Sequence, residues 1–499
     1  MGTVAISGGA GGYPAAFPYD PDTRYPEYPG AGVSGAPNSV YEAVRACLRG
    51  LGLDAERYGT PGWNPLGHLV KPGDRVFIKP NLVTHEYRLG CDCPGDLFSV
   101  ITHPSVLRAV ADFVAIALKG RGEIVLGDNP CIDADWSLLT ERTGLHRFGP
   151  YFTEAGTPCR VLDLRPMWTD DLTYYGFRSK VSPQSGDPEG ESVIDLGDRS
   201  WFRGISPLLF RGVFTNRWET IRHHSMGRHR YSIASTILNS DVYISVPKLK
   251  SHHKVGATLN IKGLVGINYN KNHLIHWRIG YPGSGGDEYA VAHRAGDHLR
   301  IAARHVARDV VPEGAYLKAR RRLKGSRLDR WTTPKWKDEH ERYRGAWSGN
   351  DTCWRMAADL YNLFVRDMAG WRAENKRPAR FFSVVDGVLG GEHNGPFCPK
   401  SRPNGVVIAG GDLLEVDCVA ARLMDFRVRQ IRYLDQLLDQ HELSTDDIRV
   451  RWGDEDAPGF FAPEHRYLRY EPPTGWPELS HHPERAPTEA APTWSDLRP

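Results

Sequence analysis

Apolar residues recur along this chain in two rhythms, a helical spacing of three to four residues and short continuous runs, and the two alternate between residues 38 and 424. The helical spacing predicts a helix over 40–51, with Val40, Val44, Cys47 and Leu51 on one face, Asn38 or Ser39 as cap and Gly52 as stop. Further helices are predicted from Pro104 to Leu118 behind a Thr102 N-cap, near 133–143, over 353–371, and from Asp412 or Leu413 to Met424. Between them the runs at 75–79 (RVFIK), 123–126, 241–246, 381–385 and 406–409 read as buried strands. Strands alternating with helices over short connections predict an α/β fold, a Rossmann-like mixed or parallel sheet flanked by helices and joined by right-handed crossovers. Short mixed runs over 161–202 predict a β-rich insertion. The pattern divides the chain into an arm and helix (1–70), a first core part (71–290), a basic helical insertion (291–378), a second core part (379–452) and an irregular tail (453–499).

Chemistry enters where the strands stop. The first run ends in Lys79-Pro80-Asn81, the second in Gly127-Asp128-Asn129-Pro130, and a later one in Asp386-Gly387 followed by Glu392-His393. Open α/β sheets bind ligands beyond the carboxyl ends of their strands. The densest polar segment is VPKLKSHHKVGATLNIKGLVGINY, 246–269, where four lysines and two adjacent histidines follow directly on a buried strand. Neither apolar rhythm survives there, which points to binding or catalysis; the plainer alternative is a solvated basic loop. Lys79, Asn81, Lys248, Lys250 and Asn260 are candidate ligand-binding residues, and His252, His253 and Lys262 are candidate catalytic residues. Asp128, Asp386, Glu392, His393 and Asp417 are candidates to hold a divalent metal or to answer the lysines. Lysines sharing one cleft depress one another's pKa, which suits acid–base work.

Composition narrows the function classes. The chain has 499 residues, with 63 basic against 60 acidic side chains and a net charge of +3, so it is not a general polycation. Residues 294–346 carry fifteen Lys/Arg against seven Asp/Glu, including Arg320-Arg321-Arg322, and could present a face to nucleic acid or be a solvated helical surface. In the second case Ile301, Val306 and Val310 form the apolar face of a helix. The glycine string GAGVSG at 30–35 follows no strand and no GxxxxGK[ST] occurs, so NAD and a P-loop nucleotide are not expected. Eight dispersed cysteines fit reduced thiols, with Cys91 and Cys93 too close together for a CxxC motif. Ten of the 20 histidines lie between 223 and 305, which raises the chance of a metal-binding or titrating centre. No membrane span or basic leader is read, so a cytoplasmic protein without membrane partners is expected.

Six segments resemble the DUF362 family, a bacterial and archaeal group named for its lack of an assigned function: DRVFIKPNL (74–82), THPSVLRAVADF (102–113), IVLGDNP (124–130), VPKLKSHHKVGATLNIKGLVG (246–266), VVDGVLGGEHNGP (384–396) and GGDLLEVDCVAARLMDF (410–426). The resemblance runs in order through most of residues 70–430. Many relatives carry an appended ferredoxin-type cysteine motif, which is missing here, so the resemblance implies no iron–sulfur cluster. His252, Lys262 ten positions on and His276 are also similar in order to the histidine–lysine–histidine set around the cofactor of nickel-pincer lactate racemase. The expected function is an enzyme of unassigned reaction acting on a phosphate- or carboxylate-bearing small molecule. Its chemistry would be metal-assisted, as in a hydrolase or transferase, or His/Lys acid–base, as in an isomerase. The alternative is a non-catalytic binder of an anion or nucleic acid through 294–346.

Overall fold

The computed structural model describes residues 2–87, 95–169, 181–212, 216–292, 294–332, 344–375 and 380–481. The elements that position the site are strands β1 (Thr3–Ser7), β2 (Arg75–Pro80), β3 (Glu123–Asp128), β4 (Cys159–Asp163), β5 (Val242–Val246), β6 (Lys248–His252), β7 (Arg380–Glu392), β8 (Lys400–Gly410), β9 (Arg449–Trp452) and β10 (Glu455–Asp456). Helices α1 (Ser39–Gly50), α2 (Pro104–Leu118), α3 (Leu259–Gly263), α4 (Cys353–Phe364) and α5 (Leu413–Leu423) accompany them.

One mixed sheet runs in the order β10-β9-β1-β8-β7-β5-β2-β3-β4, with β6 pairing on β7. Strands β7, β5, β2, β3 and β4 are mutually parallel, and the antiparallel pairs β7–β8 and β8–β1 turn the sheet at one side. The fold is the expected α/β type with helices on both faces. Val76 and Ile78 of β2 pack with α1 and α2 on one face, and Phe77 packs with α4 and α5 on the other. That division follows from the two-residue period of a strand. Every residue of β5 is buried, as a central parallel strand covered on both sides requires, and its sequence VYISV is correspondingly almost unbroken in apolar character.

Several elements differ from the sequence pattern. The cap of α2 is His103, whose Nδ1 accepts from Ser105 N. Thr102 instead bridges two strand ends, its Oγ1 accepting from Asn81 N and donating to Val246 O. Strand β7 runs seven residues past the 381–385 apolar core because a register shift between Gly387 and Leu389 lets it continue alongside β8. In the basic insertion the helix Asp297–Val310 buries Ile301 and His305 and exposes Val306 and Val310, so the inward face is not the one its apolar residues suggest. The N-terminal arm contributes β1 to the middle of the sheet, and the tail to 481 is wrapped onto the body through buried Tyr467, Leu468, Tyr470, Trp476 and Leu479. Among the described residues no helix is long and apolar enough to cross a membrane.

Candidate functional site

Sheet register brings the predicted polar residues together. Ser245 of β5 pairs with Lys79 of β2, and Lys248 of β6 pairs with Asp386 of β7, so lysines emerge side by side at adjoining strand ends. Lys79 Nζ lies 2.9 Å from Asp128 Oδ1 and donates to Pro80 O at 2.7 Å. Asp128 accepts further from Leu82 N and Asn129 N, which fixes the carboxylate. Gly266 closes over this pair: a Cβ there would overlap Asp128 Oδ1 and lie 2.6 Å from Lys79 Nζ. Beside it Lys271 donates to Asn129 O and Val265 O.

A second pair lies one strand away. Lys248 Nζ is 2.9 Å from Asp386 Oδ2, both side chains fully buried, and also donates to Tyr13 Oη at 2.6 Å. Tyr13 donates in turn to Asp386 Oδ1, and His103 N donates to Oδ2. The Tyr13 ring stacks flat on His103 with centroids 3.9 Å apart. Burial holds the Lys248 ammonium below its ordinary pKa against the pull of Asp386, and lowers His103 further with Lys248 nearby. Lys250 has no carboxylate partner among the described residues; its Nζ donates to Val100 O and Pro396 O, and burial followed by Lys248 and Lys262 pushes its pKa well down.

Lys262, on α3, differs from these. It is 6% exposed, yet it makes no hydrogen bond or ion pair among the described residues. Burial lowers its pKa, opposed by the neighbouring Cys353 thiol. Three imidazoles share its surroundings. His252 and His276 are pushed well below the ordinary imidazole pKa by burial and then by Lys262; for His253 the order is burial, Lys254, Lys262. All three are therefore neutral near pH 7. Hydrogen bonding assigns two of them opposite tautomers. His252 Nδ1 accepts from Lys254 N at 3.0 Å, which leaves the proton on Nε2, whereas His276 Nδ1 can only donate to Leu274 O at 3.3 Å, which leaves a lone pair on Nε2. One ring can give a proton and the other can take one. Lys254 donates to Arg344 O, and burial brings its pKa down to about 8.

The remaining predicted residues point elsewhere. Asp417 binds the start of α3: Oδ1 accepts from Asn260 N and Nδ2, Oδ2 accepts from Ile261 N, and burial raises its pKa to about 7. Asn260 Oδ1 accepts from Ser383, so both residues hold Lys262 in place through its helix. Glu392 and His393 face the tail, with Glu392 Oε2 accepting from Glu471 N and His393 Nδ1 3.1 Å from Glu471 Oε1. Asn81 ties the β2 end to Thr102 through its backbone. Among the described residues the four predicted acids and His393 form no convergent metal-ligand group; the group that does converge is Glu219, His223 and His273. Cys91 and Cys93 lie outside the described residues, and Cys398 is disulfide-bonded, which departs from the expectation that every thiol is reduced. In the basic insertion Arg320, Arg321 and Arg322 are exposed, while Arg300 pairs with Asp297.

With this geometry in place, the segment carrying it can be compared with known families. Residues 203–422 match DUF362, a domain of unknown function. The match holds Lys248, Lys250, His252, Lys262, His276, Asp386 and Asp417, whereas Tyr13, Lys79 and Asp128 precede it. It is narrower than the 70–430 range of the sequence resemblance. The chain is also 26% identical over 202 residues to a thylakoid-associated protein of Synechocystis sp., covering 40% of this chain and 41% of that protein. The chain thus spans about 41% of the length of the curated relative it matches.

Tyr13, His103, Lys254, Lys271 and Cys353 were not singled out by sequence reasoning. Tyr13 lies in a Gly-rich arm without periodicity, and Cys353 reads as an ordinary helix-start residue. Lys271 stood in the polar run NYNKNH, the one signal that could have found it.

Proposed function

We propose that this protein is an enzyme that receives an anionic small molecule, phosphate- or carboxylate-bearing, at Lys262 and moves a proton with His252 and His276. The single observation that carries this reading is the contrast among the buried lysines. Lys79 and Lys248 are neutralised by carboxylates, and Lys250 and Lys271 are held by backbone carbonyls, but Lys262 has no partner among the described residues. A buried ammonium without a counter-charge is costly, and an entering anion relieves that cost. Neutral imidazoles of opposite tautomer supply a donor and an acceptor next to it, which favours proton-transfer isomerisation over hydrolysis. Lys79–Asp128 and Lys248–Asp386 act as the rigid wall behind the site.

The test is incubation of the purified full chain with a small-molecule cell extract, read by mass spectrometry. The wild type is expected to convert an anionic compound that folded Lys262→Met and His252→Gln leave untouched. Equal conversion by either variant would remove that residue from the reaction.

A second reading is favoured by one observation: the Nε2 lone pair of His276 and the free Lys262 amine belong to the same cluster, in the order that resembles the nickel-pincer set. His276 and Lys262 fit such a cofactor as imidazole ligand and amine anchor. The group would supply a Lewis-acidic metal beside the substrate. Nickel co-purifying with the wild type and absent from both His276→Ala and Lys262→Met is the expected result of that reading; nickel content unchanged in either variant, or absent from the wild type, contradicts it. The non-catalytic alternative, anion or nucleic-acid binding through 294–346, rests on the exposed Arg320–Arg322 alone.

A further inference from the structure

The helix Arg217–His223 lies outside the lysine cluster and places Glu219 and His223 four residues apart on one face. Opposite it the turn Lys271–His273 presents His273. One ligand atom from each of Glu219, His223 and His273 lies within 4.8 Å of the others. The two imidazoles stack with centroids 3.6 Å apart, and imidazole is a preferred ligand of zinc-class ions. His273 is 3% exposed, yet among the described residues its Nδ1 has no hydrogen-bond partner, and the same is true of His223 Nδ1. Buried ring nitrogens left without partners are uncommon and call for a reason.

The surroundings are built to hold the three groups still. Glu219 Oε1 accepts from Asn270 Nδ2 at 2.6 Å and Oε2 accepts from Asn272 Nδ2 at 3.0 Å. Asn272 Oδ1 accepts from Asn216 N, Thr220 Oγ1 donates to Asn272 O, and His224 Nε2 donates to His273 O at 2.7 Å. These are outer-sphere bonds of the kind that orient metal ligands. Two imidazoles and one carboxylate form a set suited to zinc, cobalt or nickel, with a position open to water because Glu219 and His223 are only half-buried.

We propose that Glu219, His223 and His273 bind a divalent ion of the zinc–cobalt class, which clamps the Lys271–His273 turn to the helix Arg217–His223. The clamp bears on the lysine cluster, because Lys271 in the same turn donates to Asn129 O beside the Lys79–Asp128 pair. The ion is separate from any nickel at His276 and does not depend on the reading of Lys262.

The experiment uses the full chain stripped with chelator and titrated with Co2+ alone, followed by its visible absorption, then displaced with Zn2+. The wild type is expected to take up one equivalent of Co2+ with imidazole-type d–d bands that Zn2+ abolishes. Asn272→Ala should weaken binding by about 10–100-fold, the loss typical of an outer-sphere partner, and His223→Ala, whose side chain is half-buried, by more. Glu219→Gln serves as a second ligand variant that preserves shape, and Lys262→Met should bind Co2+ like the wild type. No uptake by the stripped wild type overturns the proposal, as does unchanged affinity in folded His223→Ala and Glu219→Gln.

Discussion

Lys248 and Asp386 meet at 2.9 Å with both side chains fully buried, on strands that sequence separates by 138 residues. The pair is neutral as a unit, and Tyr13 Oη, His103 N and Val388 N also donate to the carboxylate. Removing one partner leaves the other as an uncompensated buried charge. Lys248→Met is therefore expected to destabilise the fold by about 3–5 kcal/mol, and the double variant Lys248→Met/Asp386→Leu by less than the sum of the two singles. Denaturant unfolding of the four proteins measures this. Additive losses would mean that the two groups do not interact.

Gly266 is held to its size by the Lys79–Asp128 pair rather than by its own backbone angles. A methyl group there overlaps Asp128 Oδ1, and Asp128 cannot retreat without losing the amides of Leu82 and Asn129. Gly266→Ala is expected to cost about 1–3 kcal/mol, the usual penalty of overpacking. A thermal-unfolding midpoint equal to that of the wild type would show that this wall yields.

Asp359 gives the fold a pH dependence. Its carboxyl is fully buried in α4, where it accepts from Ser200 Oγ, Tyr231 Oη and Trp201 N, and burial raises its pKa from 3.8 to about 7. The protonated form is thus favoured in the folded state. Its stabilising contribution is complete below about pH 4 and is lost as pH rises through about 7, on the order of 4 kcal/mol in all. Asp359→Asn should flatten the stability profile over that window. A wild type and variant that lose stability in parallel from pH 4 to pH 7 would rule out this assignment.

Much of the fold was legible because the strands that build the sheet centre are continuous apolar runs. RVFIK and VYISV announce buried parallel strands, and the polar residues at their ends mark where the sheet opens. The site was legible as a set of residue types but not as a set of partners. Lys248, Lys250 and Lys262 look equivalent in sequence, and only register and helix geometry give Lys248 a carboxylate, Lys250 two carbonyls and Lys262 no partner among the described residues. Asp417 looks like a free acid on a helix, yet the start of α3 uses both of its oxygens. Tyr13 carries no local signal at all, because its role comes from an arm that crosses the sheet ends through long-range contact with Asp386 and His103. Of the Glu219–His223–His273 group the sequence showed only a clustering of histidines between 223 and 305; the grouping itself is fixed by tertiary packing.

Lys262 is proposed as a buried amine that has no partner among the described residues and is kept open for an anion. Isothermal titration of the full chain with orthophosphate and, separately, oxalate tests it most directly, in wild type and in Lys262→Met at constant ionic strength. Saturable binding of at least one of these probes to the wild type is expected, accompanied by proton uptake as the lowered amine is fully protonated, and none to a Lys262→Met variant that folds normally. Binding of equal strength in both proteins, or no binding of either anion to the wild type, would contradict it.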